Sequence, residues 1–525
     1  MTARRDTRRR PSSGHGGAAR RRADAGRRGD AGQDDGKPAA ATPAAARGGG
    51  AGQARRADLP RRTAYDVLAA VAGREAYANL LLPRLLAERS VTGRDAALAT
   101  ELAYGTLRGQ GTYDAVLAAC SDRPLDKLDP PVLHVLRLGT HQLLATRIGS
   151  HAAVATSVDL AKAVAGPRVA GYVNAVLRRV STRDLDQWLE IVAPSEESDP
   201  DGYLAVRHSY PRWIVGAYRQ ALGATAESEL AAALAAGNER PRVTMAAAVG
   251  GPGRDAVMPD GAEPSRWSPY GFTLPGGDPA DLVAGGQAWV QDEGSQLAAL
   301  ALASAPLGGT DGDRAWLDMC AGPGGKARLL HGLAARHGAR LAAADVHPHR
   351  AALVKAALAQ SAQSAQSAQS ALAAPVAEGA PDAAVVVADG LRPPWRDGGF
   401  DRVLVDVPCS GLGALRRRPE ARWRKSEADL PALAALQAAL LTSALAACRP
   451  GGVVAYVTCS PVPAETSAVV TAVVTATPGT EILDAPAALP GVPGLPAPNP
   501  LFAQLWPHRH GTDAIFIALL RRGTQ

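Results

Sequence analysis

Six short apolar runs along the second half of the chain limit its fold more than any other feature. They are Ala315–Met319, Leu341–Ala344, Ala383–Ala388, Arg402–Val407, Val453–Thr458 and Ala514–Leu520, with helix-like stretches between them. Strands separated by helices cannot close as hairpins. They need crossovers, which lay the strands parallel and cover both sheet faces with helix. The expectation is a parallel α/β domain over 285–525. Within it Ser361–Ser370 reads SAQSAQSAQS, which resembles an inserted surface linker and is far too short for a solenoid.

The first half has a different texture. Val169, Tyr172, Val173, Val176, Leu177 and Val180 recur along one helical face. Leu133, Leu136, Leu143 and Leu144 form a similar stripe after Pro130-Pro131, a fitting helix start. These patterns predict an all-α domain over 59–184. Residues 185–284, helical around Pro211–Leu234 and then punctuated by Pro and Gly, read as a connecting subdomain with weak strands. His134, His141 and His151 lack ligand spacing and read as ordinary core or surface histidines.

Charge sits at one end. Residues 1–56 carry fourteen Arg and Lys against five Asp, so of a net +7 this tail holds +9 and the remainder −2. The expectation for 1–58 is an unfolded basic tail, either a solubilising leader or an arm that holds polyanions. No apolar segment follows its arginines as a secretory signal requires, and no run approaches the ~18 uninterrupted apolar residues of a membrane span. The five cysteines are odd in number and form no CxxC pair, which argues against a disulfide framework or a Cys-rich zinc site. A cytoplasmic chain without metal or membrane contact is expected; nothing sets its oligomeric state, and a monomer is the default.

The first apolar run leads into Asp318-Met-Cys-Ala-Gly-Pro-Gly-Gly-Lys326. Such a loop lets backbone approach a ligand at the carboxyl edge of a sheet. It is not a P-loop, because Cys320 occupies the place of the first Gly and Ala327 that of the Ser/Thr. Nor is it GxGxxG. A tight turn would look the same, but acidic residues follow in order: Asp345 after the second run, Asp389 after the third, Asp406 at the end of the fourth. A lone Asp commonly caps a turn. Three around one crevice favour a nucleoside ligand with a charged tail, and S-adenosylmethionine fits better than a dinucleotide.

Two thiols belong to the same edge. The fourth run ends in Asp406-Val-Pro-Cys409-Ser, the fifth in Thr458-Cys459-Ser, and carboxyl ends of parallel strands open on one side. Cys120 and Cys448 lie in apolar stretches and read as core. Carbon 5 of cytosine is a poor nucleophile until a thiolate adds at carbon 6, after which it can take a methyl group. A base must then remove the carbon-5 proton and the thiol must leave, while a carboxyl group near N3 would stabilise developing charge. Two cysteines and Asp406 suit that chemistry. Two unreactive buried cysteines would show the same spacing, and spacing does not say which thiol attacks.

DMCAGPGGK, ADVHPHR, ADGLRP, DVPCSGLGALRRRPEARW, VAYVTCSPVPAE and WPHRHGTDAIFIAL resemble the successive motifs of the RsmB/Sun family, bacterial cytosine-5 methyltransferases of small-subunit ribosomal RNA. WVQDEGSQLA resembles that family's entry to its catalytic domain. RTAYDVLAAV, ELAYGTLRGQGTYD and GYVNAVLRR resemble its NusB-like RNA-binding domain. The resemblance spans roughly 60–525. It implies an α/β Rossmann-like class I methyltransferase domain behind an all-α NusB-like domain and a small connecting subdomain. It also implies Cys459 as nucleophile and Cys409 as the thiol that helps release product. Cofactor contacts would fall on Cys320, Ala321, Gly322, Pro323, Gly324, Gly325, Lys326, Asp345, Asp389 and Asp406. A Gly stands at 322 where Ala is usual, Ala327 replaces a common Thr, and Thr466 stands where Asn often follows Glu465.

The run RRRPEARWRK offers Arg416, Arg417, Arg418, Arg422, Arg424 and Lys425 to phosphates and Trp423 to a base; a solvated charged face is the plainer reading. His508 and His510 lack a third metal ligand nearby, so roles in RNA contact or local hydrogen bonding are expected. A paired base could not reach the thiols, so the target would be an unpaired or flipped cytidine. Ribosomal RNA is the expected partner. The alternatives are methylation of another RNA such as transfer RNA, a small-molecule methyltransferase, or a non-catalytic RNA-binding assembly or antitermination factor.

Overall fold

A computed structural model describes residues 58–523 except 75, 278, 310–311 and 373–382. The expected basic tail lies almost wholly outside them. Helices fill the chain from Leu59–Arg74 to Ala226–Ala236. The helix Pro130–Ala145 starts on its two prolines, and Ala170–Val180 buries Val173, Val176, Leu177 and Val180 as its periodicity requires. Leu102, Leu117, Leu136, Leu138, Val173 and Leu177 lie in one helical core, which also holds Cys120. His134 packs edge-on to Tyr65, and His141 Nδ1 lies 2.9 Å from the Tyr113 hydroxyl.

Helix runs further into the connecting region than Pro and Gly content suggested. Leu185–Val192 is held by a reciprocal cap in which Asp184 accepts from Gln187 N and the Gln187 side chain accepts from Asp184 N. Helices Arg212–Leu222 and Ala226–Ala236 share a core with Leu412, Leu415, Val462 and Trp506 from the catalytic half. A small antiparallel sheet follows, in the order β2 (Glu263–Pro264), β3 (Gly271–Thr273), β1 (Thr244–Ala247) and β4 (Ala288–Val290).

The large sheet contains all six anticipated strands. Its order is β10 (Glu481–Leu483), β12 (Phe516–Arg521), β9 (Cys448–Thr458), β8 (Phe400–Asp406), β5 (Ala315–Asp318), β6 (Arg340–Asp345) and β7 (Ala384–Val387), with β11 (Ala503–Gln504) pairing beside β12. Strands β7, β6, β5, β8 and β9 are parallel, whereas β12 runs antiparallel to β9 and β10 antiparallel to β12. The wholly parallel expectation is thereby corrected to a mixed Rossmann-like sheet. Strand direction here depends on the connection through β10 and β11, too short to carry an apolar signature. The chain leaves β5 toward β6 on one side and returns to β8 on the other, so a crevice opens at the carboxyl ends of β5 and β8.

The SAQ repeat does not form a linker. Its backbone lies inside the helix Pro348–Leu372, as expected of Ala and Gln without Gly or Pro. Among the described residues one helix, Glu427–Ala447, is long and apolar enough to cross a membrane. Its Leu440, Leu441, Ala444 and Leu445 are buried in the core against the large sheet.

Candidate active site

The glycine loop turns sharply between β5 and the helix Gly325–Arg336. Ala321 N donates to Ala344 O at 2.8 Å, fixing the loop to β6, and Gly324 N closes the turn on Ala321 O. Gly324 has φ +115°, open to glycine alone at low cost. Gly322 N donates to Asp345 Oδ2 at 3.1 Å, and a Cβ at 322 would lie 2.3 Å from that oxygen. The departure to glycine is thus where Asp345 folds back onto the loop. Asp345 Oδ1 also accepts from His347 N. Pro323 is exposed and Cys320 half-buried, its thiol pushed up by burial and then by Asp318.

Lys326 opens the helix that follows and reaches across the crevice. Its Nζ lies 2.8 Å from Asp406 Oδ2 and 3.2 Å from Ser295 Oγ. Burial opposes its charge, yet the Asp406 carboxylate raises it above its ordinary value. Asp389 follows β7 next to Ala388, whose N donates to Asp345 O; it is exposed, and its Oδ1 accepts from Leu391 N as a turn cap.

Cys409, beyond β8, and Cys459, at the end of β9, meet with their sulfurs 3.3 Å apart. Cys409 beside it, then burial, hold the Cys459 thiol well above its ordinary value, with Lys326 opposing. Gly413 N donates to Cys459 O at 2.8 Å, which binds the two thiol loops together. A Cβ on Gly413 would lie 2.0 Å from Ala514 O and 2.8 Å from Cys459 O. These are backbone atoms that cannot turn aside. Gly413→Ala should therefore cost about 1–3 kcal/mol of stability by overpacking and lower activity more than stability, seen as reduced turnover at temperatures where circular dichroism still shows folded protein.

One residue the sequence reading passed over belongs here. Asp318 is fully buried at the end of β5, and neither carboxylate oxygen has a hydrogen-bond partner of good geometry. Burial, then the neighbouring Asp406 carboxylate, push its pKa up to about 8. Its signal in the sequence was its place one residue before the end of the first apolar run, ahead of the glycine loop.

The basic run is corrected in most of its members. Arg416 and Arg417 each pair with Asp292 at 2.7 Å and with Asp513 at 2.5 and 3.0 Å respectively. Arg422 is fully buried, lies over the Tyr210 ring and donates to Ser209 O and Asn238 Oδ1. Arg424 donates to Val71 O and Ala76 O of the helical region. These four guanidiniums are held by protein groups and are not available to phosphates. Arg418 and Trp423 are exposed and Lys425 is half-buried. His508 pairs with Glu229, and His510 bonds Trp506 N and Pro493 O, so both serve local structure.

Comparison with known proteins places this arrangement. Residues 306–521 match the family model described as 16S rRNA methyltransferase RsmB/F, and residues 58–182 match the NusB family. The chain is 33% identical over 437 residues to ribosomal RNA small subunit methyltransferase B of Pseudomonas putida, covering 81% of this chain and 91% of that protein. The chain belongs to the RsmB/F methyltransferase family. A Mycobacterium tuberculosis protein whose name assigns it provisionally to the methyltransferases, with no substrate, is 49% identical over 480 residues, covering 90% of this chain and 98% of its own. The crystal structure of PH0851 shares the fold, with TM-score 0.68 at 21% identity over 88% of this chain and 98% of that one.

RsmB/F enzymes are S-adenosylmethionine-dependent RNA methyltransferases, and the crevice suits such a ligand. A glycine turn leaves room for backbone contact, Asp345 supplies an acceptor at a strand end, and Asp318 is a buried carboxyl group without a hydrogen-bond partner of good geometry. These acceptors fit the hydroxyls of a ribose and an ammonium group.

Proposed function

We propose that this chain methylates carbon 5 of a cytidine in small-subunit (16S) ribosomal RNA through a cysteine adduct at carbon 6. The observation that carries the reading is the pair of sulfurs 3.3 Å apart beside the Lys326–Asp406 ion pair. S-adenosylmethionine, when bound by the glycine loop with Asp345 and Asp318, supplies the methyl group. Cys459 adds to carbon 6 as nucleophile, making carbon 5 enamine-like. Asp406, anchored by Lys326, holds the pyrimidine edge by accepting a hydrogen bond from the exocyclic amine, and a proton held between its carboxyl group and N3 neutralises the negative charge that the adduct builds there. Once carbon 5 carries the methyl, Cys409 as thiolate takes the carbon-5 proton, and the electron pair left behind reforms the 5,6 double bond and expels Cys459 from carbon 6.

Arg418, Trp423 and Lys425 leave the basic run able to touch RNA, and the NusB-like domain would position the remainder. The test is transfer of labelled methyl to unmodified small-subunit ribosomal RNA, mapped to the nucleotide. Label on cytosine carbon 5 is the expected result. Label on transfer RNA alone would move the substrate and keep the chemistry; tight RNA binding with no label on either would favour a binding factor.

A further inference from the structure

The serines that follow the two thiols are buried and meet at one carboxyl group. Glu465 lies six residues past Cys459, in the turn Pro463–Glu465, and is fully buried. Its Oε1 accepts from Ser410 N at 2.7 Å and from Gln437 Nε2 at 3.1 Å. Its Oε2 accepts from Ser410 Oγ at 2.5 Å and Ser460 Oγ at 2.6 Å. Among the described residues no Lys or Arg pairs with it within 4.0 Å, so hydrogen bonds alone satisfy it.

We propose that Glu465 is the positioning residue that sets the separation of Cys409 and Cys459. It grips the residue after each thiol, so the loops beyond β8 and β9 share one anchor. Two further bonds fix that anchor: Gln437 Nε2 also donates to Pro408 O at 2.9 Å, and Tyr456 OH donates to Glu465 O at 2.6 Å. The residues on either side of Cys409 and the one after Cys459 are thereby tied to a single buried network. A buried polar network specifies one geometry only when every member is satisfied. Glutamine at 465 would place an NH2 against either the two hydroxyls or the two N–H donors, losing acceptor capacity on one side.

The distance itself can be read without RNA or cofactor. Diamide oxidises two adjacent thiols to a disulfide, its diazene bond taking up both hydrogens to become a hydrazine. The full chain treated at fixed pH should form the Cys409–Cys459 bond rapidly, followed by intact mass and peptide mapping. Glu465→Gln should form it at least about tenfold more slowly, since small misplacement of reacting atoms costs one to two orders of magnitude. Ser460→Ala, which frees only one loop, should fall between and serves if the Gln variant does not fold. In turnover, which rests on the reading above, the same variants should lose kcat with KM for RNA unchanged. Wild-type oxidation rates in both variants, or no disulfide in the wild type, would overturn the proposal. The expected oxidation pattern with no methyl transfer to any RNA would leave the positioning role standing and sink the functional reading instead.

Discussion

Cys459→Ala should abolish methyl transfer, lowering turnover by at least about 10³-fold, because without an adduct at carbon 6 carbon 5 is not nucleophilic. Cys409→Ala should behave differently. Attack at carbon 6 remains possible while release is impaired, so a protein–RNA adduct should accumulate and survive a denaturing gel. An adduct formed by the Cys459 variant and not the Cys409 variant would exchange the two roles. The pH profile adds a check on which group must lose a proton. The thiolate is the attacking form, and the Cys459 thiol is held above its ordinary value, first by Cys409 and then by burial. Raising a thiol pKa moves the onset of reactivity to higher pH. kcat/KM, which reports the free enzyme, should therefore climb about tenfold per pH unit through neutrality and continue past the usual thiol range. A plateau below pH 7 would mean that another group limits attack.

The second large effect is on stability. Asp292→Asn should destabilise the catalytic domain by about 3 kcal/mol, near the low end for breaking a buried ion pair, a fall in Tm of roughly 5–10 °C. Asp292 Oδ1 accepts from both Arg416 and Arg417, while Oδ2 accepts from Gly294 N and Asp513 N. Burial alone would raise this carboxyl group, but Arg417 and Arg416 hold it low. Asparagine keeps the cap of the following helix through its oxygen, but turns an NH2 towards the two guanidiniums, so the charge and one acceptor are lost together. It leaves two largely buried guanidiniums sharing Asp513. Arg418→Ala and Lys425→Ala, by contrast, should leave stability within about 0.5 kcal/mol of wild type and flatten the salt dependence of RNA binding. Unchanged Tm in the Asp292 variant would return the arginine run to the solvent-exposed role its sequence suggested.

Local pattern was enough for much of the molecule. Val173, Val176, Leu177 and Val180 declared their helix because burial repeats with the backbone's own period, and the six strands declared themselves by short apolar length. The glycine loop was visible because only glycine adopts φ near +115° at Gly324 without penalty. The direction of β12 and the helical course of the SAQ repeat were not visible, since neither an apolar run nor a repeat carries orientation.

What the sequence determined by itself was which chemistry-bearing residues stand at strand ends: Asp345 after one run, Asp406 and Cys409 after another, and Cys459 after a third. Tertiary structure decided which of them meet. Two sulfurs 50 residues apart come within 3.3 Å because β8 pairs with β9 in one register. Arg416 is neutralised by Asp292, 124 residues away, and in a run that reads as a free cationic face four guanidiniums are held by protein groups. Asp318 is left without a good donor, while Glu465 acquires four. Periodicity is a property of a short window, and the chain writes it locally. Charge compensation, hydrogen-bond satisfaction and thiol proximity are properties of pairs, fixed only when crossovers and strand order bring distant segments together.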